Sequence, residues 1–484
     1  MFVGLDLGTS GLRGLLVDEA QNVIASSETG YDTQHPLPGW SEQDPADWIA
    51  ACKEVLIDLK AQAPKAMAQL RGVACSGHMH GATLLGKDAA VLRPCIMWND
   101  TRSADQAALL DGTPNVRDLS GNIVFPGFTA PKLAWVADHE PQIFAQVETV
   151  LLPKDFLTFW LTGNLTSDMS DSAGTSWLDV GKRSWSETLL SAGNMREDQM
   201  PQLFEGTDIV GTLRPELASE LGLPSTVEVA AGAGDNAAAA CGIGALNEGD
   251  GFVSLGTSGV LLAARDSFAP QPASAVHTFC HAVPQKWYQM GVILAATDSL
   301  NWLSRTLQED PAHLTQTLGT SLEAPGKVQF LPYLSGERTP HNDSAIRGAL
   351  IGLDINTSQR DLTRAVLEGV SFALRDNLEA LKSTGARLDN AIAIGGGSRS
   401  AYWLELIATV LNLPLEIPEQ GEFGAALGAA RLAICGVTGA RAEDVMTKPN
   451  ISTTIAPRAD LVDAYEEAYA SFKNLYPKLR GDHA

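Results

Sequence analysis

The tetrapeptide Gly-Thr-Ser-Gly constrains this chain more than any other feature, because it is written twice, about half a chain apart. Residues 5–11 read LDLGTSG and residues 253–259 read VSLGTSG. Each copy follows a strand-like apolar run and precedes further apolar residues, which is typical of a tight β-hairpin. Two unrelated hairpins would explain either copy alone, but the repetition predicts two halves with the same fold.

The chemistry of the repeated turn suits a phosphate ligand. Glycine lets a ligand approach the backbone closely, and the backbone N–H groups and the two hydroxyls offer donors to an anion. Asp6 in the first copy is matched by Ser254 in the second. A clamp built from both turns therefore carries one carboxylate, as a single hydrated Mg²⁺ on a nucleotide requires.

The charge balance excludes several classes of partner. The 484 residues include 34 Lys and Arg against 57 Asp and Glu, for a net charge of −23. This charge repels nucleic acid and anionic membranes alike, so we expect small-molecule partners only. Any bound phosphate must then be neutralised locally, by backbone N–H groups, helix N-termini or metal.

Cysteine use and hydropathy predict the compartment. The six cysteines are scattered without a C-x-x-C pair, which indicates reduced thiols in a cytosol and no structural metal. The N-terminus enters a strand at once, and no 18-residue apolar span is free of charge. We therefore expect a cytoplasmic protein that is neither secreted nor inserted in a membrane.

The order of predicted elements divides the chain into two domains. Residues 2–7, 12–18 and 23–27 read as strands around the first hairpin, and Asp44-Pro45 predicts the start of a helix. The second half repeats the order of strand, turn and strand. A polar, glycine-containing turn at residues 247–251 separates the halves, so we predict domains at 1–247 and 248–484.

Two polar clusters in the first half are candidates for substrate contacts. His78 and His80 lie in the loop SGHMHGATLL, where a zinc site lacks a third ligand, so a substrate hydroxyl is the better partner for one imidazole. A histidine satisfied within the loop is the alternative. Residues 98–102, WNDTR, hold groups that polyol recognition uses, although an internal pair of Asp100 with Arg102 explains two of them.

Asp235 is the candidate catalytic carboxylate. It follows a predicted strand and a glycine turn at residues 232–234, and it precedes Asn236 and a run of alanines that starts a helix. Helix capping alone would account for Asp235. Capping does not require the flanking glycines, which indicate that something else approaches closely.

A third glycine cluster, GGGS at residues 395–398, follows a predicted strand and precedes a helix. With Glu416 about 20 residues on, it has the outline of a dinucleotide-binding unit, and an NAD-dependent enzyme is the rival hypothesis. Ser400 stands where that fingerprint has its third glycine, and the rival leaves the twin hairpins unexplained.

Two longer motifs make the chain resemble a known family. Residues 127–139, GFTAPKLAWVADH, fit the first signature of the FGGY carbohydrate-kinase family, and residues 348–368 fit the second. The resemblance, within the actin-like ATPase superfamily, covers residues 2 to about 431. Further segments resemble the subgroup that phosphorylates D-xylulose: WSEQDP at 40–45, MHGATLL at 79–85, LPKD at 152–155 and SGERTPH at 335–341.

The resemblance implies an α/β protein with two duplicated actin-like (ribonuclease H-like) domains and an interdomain cleft. It implies that the first domain binds mainly the sugar and the second mainly ATP, with Asp6 on Mg²⁺ and Asp235 as the base. We expected the helix dipole to keep Asp235 ionised. The implied contacts are, for phosphate, Gly8, Thr9, Ser10, Gly256, Thr257 and Ser258; for adenosine, Gly396 and Gly397; and for the ketose, Met79, His80, Asp235 and Asn236. The cluster at residues 98–102 adds Trp98 as a candidate contact to the ketose.

Several alternatives stay open at the level of sequence. Family members that act on ribulose, gluconate or glycerol share the clamp, and His78 stands where such kinases usually have Gln, which bears on the choice of pentulose. A chaperone or filament of the actin-like ATPase type would share the hairpins but leave Asp235 and His80 unexplained. The oligomeric state is undetermined, with a homodimer as one compatible assembly.

Overall fold

Two mixed β-sheets, one in each half of the chain, form the centre of the protein. The computed structural model describes residues 1–419 and 424–481; the predicted second domain thus includes seven residues, 420–423 and 482–484, that lie outside the described part. The first sheet contains β1 Phe2–Leu7, β2 Gly11–Val17, β3 Val23–Gly30, β4 Gly72–Gly77, β5 Ile209–Thr212 and β6 Glu228–Gly234. The second contains β7 Gly251–Leu255, β8 Gly259–Arg265, β9 His277–Cys280, β10 Trp287–Ile293, β11 Ala391–Ile394, β12 Leu415–Pro418 and β13 Ile451–Ile455.

The two sheets share one topology, as the repeated tetrapeptide predicts. The first has the order β3-β2-β1-β4-β6-β5, and the second has β10-β8-β7-β11-β12-β13 with β9 added at its edge. In both, a hairpin pairs the first two strands and parallel strands follow beside the first. Each Gly-Thr-Ser-Gly turn joins the first two strands of its sheet, so the predicted duplication is confirmed.

Ten helices of eight or more residues cover the sheets within the described ranges. They are α1 Pro45–Gln62, α2 Ala104–Asp111, α3 Thr129–His139, α4 Pro153–Thr162, α5 Asp235–Ile243, α6 Thr297–Leu307, α7 Gln359–Ser383, α8 Ala401–Leu411, α9 Ala425–Thr438 and α10 Val462–Lys473. Helix α1 begins as predicted, because the Asp44 carboxylate accepts a hydrogen bond from the Ala46 N–H and Pro45 occupies the first turn.

Shorter elements connect these. The short helices are Pro64–Met67, Lys87–Ala89, Val116–Ser120, Pro141–Phe144, Met169–Ser172, Ala173–Thr175, Glu187–Ala192, Glu197–Gln199, Pro215–Leu221, Pro272–Ser274, Pro311–Gln316, Gly396–Arg399, Ala442–Val445 and Leu475–Gly481. The short strands are Glu42–Gln43, Thr83–Leu85, Cys95–Ile96, Thr149–Leu151, Thr166–Asp168, Leu178–Asp179, Ser184–Trp185, Gln202–Phe204, Gln329–Leu331 and Ala349–Ile351.

Helix α9 joins the two halves. Although it lies late in the chain, it packs on β1, β4 and β6 of the first sheet and on α5. Contact is close enough that a Cβ at Gly428 would lie 1.8 Å from the Ala238 carbonyl oxygen, so only glycine fits there. Packing thus crosses the predicted boundary at residues 247 and 248, and that boundary stays a prediction.

A second contact between the halves consists of hydrogen bonds to strands β9 and β10. The Asn122 side chain donates to the Thr278 carbonyl at 2.9 Å and accepts from the Thr278 N–H at 2.9 Å. The Trp287 indole N–H donates to the Val180 carbonyl at 2.9 Å. Strands β9 and β10 of the second half are therefore fixed against residues of the first.

In residues 1–419 and 424–481, no helix is both long and apolar enough to cross a bilayer. All six cysteines are buried and carry free thiols.

Candidate active site

The first Gly-Thr-Ser-Gly turn is held from behind by side chains of its own half. The Gly8 N–H donates to the Gly11 carbonyl at 2.9 Å and closes the turn. The Tyr31 hydroxyl donates to the Gly8 carbonyl at 2.5 Å, and the Gln43 amide donates to the Thr9 carbonyl at 2.6 Å. Free carbonyl oxygens would repel a phosphate. These hydrogen bonds occupy the carbonyl oxygens of Gly8 and Thr9.

The second turn is held by the start of α6. The Gly256 carbonyl accepts from the Thr297 N–H at 3.0 Å and from the Thr297 hydroxyl at 2.7 Å. The Thr257 carbonyl accepts from the Ala296 N–H at 2.8 Å. Carbonyl groups are again occupied, so both turns have the features of an anion-binding loop.

Asp6 and Asp235 lie at the carboxyl ends of parallel strands in the first sheet. Asp6 on β1 is paired in register with Ser76 on β4, and Ser76 with Ala233 on β6, two residues before Asp235. The Ser76 hydroxyl donates to Asp6 at 2.8 Å. Ligands of open α/β sheets bind at this edge, so the register alone brings two carboxylates to a ligand-binding position.

Both carboxyl groups resist ionisation. Burial raises the pKa of Asp6, and the Ser76 hydrogen bond opposes this in part. Burial, and next the negative charge of Asp6, raise the pKa of Asp235 to about 7. Two neighbouring carboxylates with raised pKa values favour a bound divalent cation, because its charge stabilises both ionised forms. The donor set of carboxylate oxygens suits Mg²⁺.

Two expectations for Asp235 are wrong. The N-cap of α5 is Gly234, and Asp235 is the first residue of the helix, where its Oδ1 accepts from the N–H of Asn236 at 2.6 Å and from its side-chain amide at 2.9 Å. We also expected the helix dipole to keep Asp235 ionised. The pKa is raised instead, because burial and the Asp6 charge outweigh the two hydrogen bonds from Asn236 that lower it.

The flanking glycines are needed by the protein's own packing. A Cβ at Gly232 would lie 1.9 Å from the Cys75 carbonyl oxygen, and one at Gly234 would lie 2.9 Å from Met79. Close approach at this turn was predicted, and the partners are Cys75 of β4 and Met79, two residues after that strand ends. Met79 is thereby pressed against the strand that ends at Asp235.

His80 is fixed in one tautomer. Its Nδ1 is 2.7 Å from the Gly174 carbonyl oxygen, which can only accept, so Nδ1 carries the proton and Nε2 is an acceptor. The ring stacks on Phe128 with 4.5 Å between centroids. Burial lowers the pKa of His80 to about 3, so the ring is neutral. A neutral acceptor nitrogen is suited to a sugar hydroxyl.

Residues 98–102 divide between two roles. The Trp98 indole N–H donates to the Thr9 hydroxyl at 3.0 Å, which ties this residue to the first turn. Asp100 and Arg102 form a buried two-pronged ion pair, and Arg102 also pairs with Glu42 at 2.7 Å. The internal pair was the alternative from sequence, and it accounts for both residues.

His78 packs against an aromatic side chain. The ring lies 5.8 Å from Trp48, nearly edge-on, and neither nitrogen has a hydrogen-bond partner among the described residues. Burial lowers the pKa of His78 to about 3. The side chain therefore packs as a neutral ring behind the first turn.

The second half reaches the same pocket with residues that sequence reasoning did not single out. The buried Tyr288 hydroxyl contacts the Met79 sulfur at 3.7 Å, and the negative charge of Asp235 contributes to raising its pKa. The Arg338 guanidinium lies over Phe125 at 4.8 Å. Arg338 stands inside the SGERTPH segment, so a signal existed for it; a single tyrosine in a buried strand offers none.

A buried charge cluster lies under the site. Lys154 forms an ion pair with Asp168 at 2.8 Å and a second one with Asp155, and all three side chains are almost fully buried. Asp171 lies beside them, and burial raises its pKa. The three carboxylates have the spacing of a metal site, but the Lys154 ammonium already supplies the central positive charge.

The third glycine cluster forms one wall of a cavity of about 640 Å³. Gly396 and Gly397 line it together with Thr297, Leu300 and Tyr402. The Ser400 hydroxyl accepts from the Trp403 N–H at 3.3 Å and caps α8, while Glu416 accepts from the Asn390 amide at 2.8 Å. The bond to Asn390 explains Glu416, on which the dinucleotide hypothesis depended, and the sheet order excludes that hypothesis.

Comparisons with known proteins agree with this geometry. Sequence profiles of the FGGY family of carbohydrate kinases match residues 1–242 with the N-terminal domain and 251–437 with the C-terminal domain. A xylulose kinase from Escherichia coli is 43% identical over 483 residues, 99% of each chain.

Two solved structures resemble the whole chain. A structure described as a xyloylose kinase from Brucella ovis is 56% identical, with a TM-score of 0.97 and 99% of each chain covered. A gluconate kinase from Lactobacillus acidophilus is 25% identical, with a TM-score of 0.91 over 99% of this chain and 98% of the other.

Replacing Asp235 should stabilise the protein in a pH-dependent way. A carboxyl whose pKa is raised on folding contributes stability at low pH, and that contribution is lost as the pH rises toward the folded pKa of about 7. We expect Asp235→Asn to gain more in Tm over the wild type at about pH 8.5 than at about pH 5.5. Thermal melts in chelator measure this. Asp47→Asn, an exposed carboxylate in the first turn of α1, is the control; an equal gain at both pH values would contradict the assignment.

Proposed function

The chain belongs to the FGGY family of carbohydrate kinases, and we propose that it transfers the terminal phosphoryl group of ATP to D-xylulose, forming D-xylulose 5-phosphate. The observation that carries the choice of substrate is the set of curated relatives called xylulose kinase, which are 34% to 43% identical over nearly the whole chain. The chemistry of the site supports phosphoryl transfer to a hydroxyl group.

Asp235 acts as the general base in this proposal. Its carboxylate accepts the proton of the primary hydroxyl as that oxygen attacks phosphorus, and the loose transition state of phosphoryl transfer asks little of the base. The pKa of about 7 keeps a useful fraction ionised at neutral pH and leaves the carboxylate basic enough to take the proton. Asn236 holds the carboxylate in place through two hydrogen bonds.

The ketose is held by groups around Asp235. The Nε2 atom of His80 accepts from one sugar hydroxyl, and Met79 forms the apolar floor of the pocket between His80 and Asp235. Trp98 connects the pocket to the first turn through Thr9. Positioning of this kind supplies most of the catalysis in phosphoryl transfer.

ATP is bound between the two halves. Thr9 and Ser10 of the first turn and Gly256, Thr257 and Ser258 of the second donate to its phosphates, Gly8 lets the phosphates approach the backbone, and Gly396 and Gly397 lie against adenosine. Asp6 holds Mg²⁺, which neutralises phosphate charge when bound. The free buried thiols favour a cytoplasmic location. A homodimer stays a prediction from sequence.

The substrate assignment is tested with a panel of acceptors. We expect D-xylulose to give the highest kcat/KM in coupled ADP-release assays that also include ribulose, gluconate and glycerol. Gluconate is the informative competitor, because a gluconate kinase shares this fold along its whole length. A higher kcat/KM for any competitor would remove the subgroup assignment and leave the family intact.

Asp6→Asn separates a role in metal binding from a role in sugar binding. We expect kcat to fall by at least about 100-fold, because the variant lacks the carboxylate that would hold Mg²⁺, the ion that neutralises the charge of the phosphates. D-xylulose affinity by calorimetry should stay nearly unchanged. Asp18→Asn, at the far end of the same hairpin, removes an equal charge as the control. A parallel loss of sugar affinity in Asp6→Asn would contradict the assignment.

Asp235→Asn tests the base. Asn keeps the size and the hydrogen bond to the Asn236 N–H but cannot take a proton, so we expect under about 1% of the normal kcat. ATP affinity should be retained, and the Tm should be no lower than that of the wild type. Retention of most of the wild-type kcat would show that Asp235 is not the base.

A further inference from the structure

We propose that Thr129 and Lys132, in the first turn of α3, are positioning residues that hold His80 in its ketose-binding conformation. The proposal rests on the proposed function, since it assumes that His80 contacts the sugar. Both residues lie in the segment that matches the first family signature, and nothing in the reaction described above uses them.

The backbone of His80 needs an external support. Its φ of 71° lies in the left-handed region, which residues with a side chain seldom adopt. The His80 carbonyl accepts a hydrogen bond from the Thr129 hydroxyl at 3.1 Å and from the Lys132 ammonium at 2.8 Å. Rotation of the backbone to the favoured region would turn this carbonyl away and break both bonds.

Lys132 is an unusual residue for a purely structural role. Its side chain is fully buried, and the structure gives its Nζ one hydrogen bond, to His80, and no ion pair among the described residues. Burying a cation without a carboxylate partner is costly, and an apolar side chain of similar length would fill the same volume more favourably. Burial lowers the pKa of Lys132 to about 7, and both protonation states retain an N–H donor.

The same end of α3 also fixes the imidazole ring. Phe128, directly before Thr129, stacks on the His80 ring at 4.5 Å. On the other side, the ring lies against Gly174, where a Cβ would be 2.5 Å from it. Backbone and ring are therefore held by one helix start and one glycine, and Nε2 can point in a single direction.

Loss of the support should affect the ketose and spare the nucleotide. A shift of about 1 Å in a positioning group can cost as much as 100-fold in rate. ATP contacts depend on the two turns and on Gly396 and Gly397, none of which hydrogen-bonds to α3. The proposal therefore predicts a selective rise in the KM for the ketose.

The experiment compares matched variants of the full-length enzyme. Thr129→Val removes the hydroxyl at constant shape, Thr129→Ser restores it, and Lys132→Met removes the ammonium at similar length. We expect Thr129→Val and Lys132→Met to raise the KM for D-xylulose roughly fivefold or more, with an unchanged KM for ATP, and Thr129→Ser to behave as wild type. Thr363→Val is the control, because that buried hydroxyl also donates to a carbonyl, at 2.9 Å, in helix α7 away from the site.

The outcomes separate the positioning role of Thr129 and Lys132 from the assumption that His80 contacts the sugar. His80→Ala is measured in parallel, and an unchanged ketose KM in that variant would overturn the role of His80 itself. If His80→Ala raises the KM but Thr129→Val and Lys132→Met lower only the Tm, as Thr363→Val does, the positioning role is overturned. If Lys132→Met does not fold, the Thr129→Val and Thr129→Ser pair decides the question.

Discussion

The pairing of β1, β4 and β6 in parallel is the constraint on which the rest of the site depends. It places Asp6 and Asp235 at one sheet edge, where both are partly buried and the charge of Asp6 contributes to raising the pKa of Asp235. Such an arrangement costs stability, because two carboxylates resist ionisation in the same low-dielectric region. The proposed function would use this charge, because Asp6 would hold a cation and Asp235 would accept the proton of the substrate hydroxyl.

Close packing around this edge keeps the two carboxylates in place. Gly232 and Gly234 allow β6 to approach β4 and Met79, and Gly428 of α9 allows the second half to pack directly on α5, the helix that Asp235 begins. A side chain at any of these positions would separate the elements. The contact between α9 and α5 therefore involves the helix that carries the candidate base. Movement of one half against the other would displace Asp235.

Particular residues show where sequence reasoning succeeds and where it stops. The duplicated hairpin, the helix start at Asp44-Pro45 and the close approach at residues 232–234 follow from local chemistry, and the structure has each of them. The N-cap of α5 is Gly234, one residue before the predicted Asp235. The Asp235 carboxylate is in the first turn and accepts from the next N–H, that of Asn236. The polar cluster at residues 98–102 predicts that Trp98 contacts the sugar; its indole N–H donates to Thr9, and the sugar contact stays a prediction.

The sequence by itself determined the class of fold, the two halves and the two Gly-Thr-Ser-Gly turns, because turns, strands and repeats are encoded in neighbouring residues. Only the tertiary structure decided the raised pKa of Asp235, the tautomer of His80 and the contacts of Tyr288 and Lys132. Each of these depends on burial and on partners far away in the chain, such as Gly174 for His80 and Asp6 for Asp235. Local patterns carry no record of such distant contacts, and electrostatic energies in a protein interior are set by them.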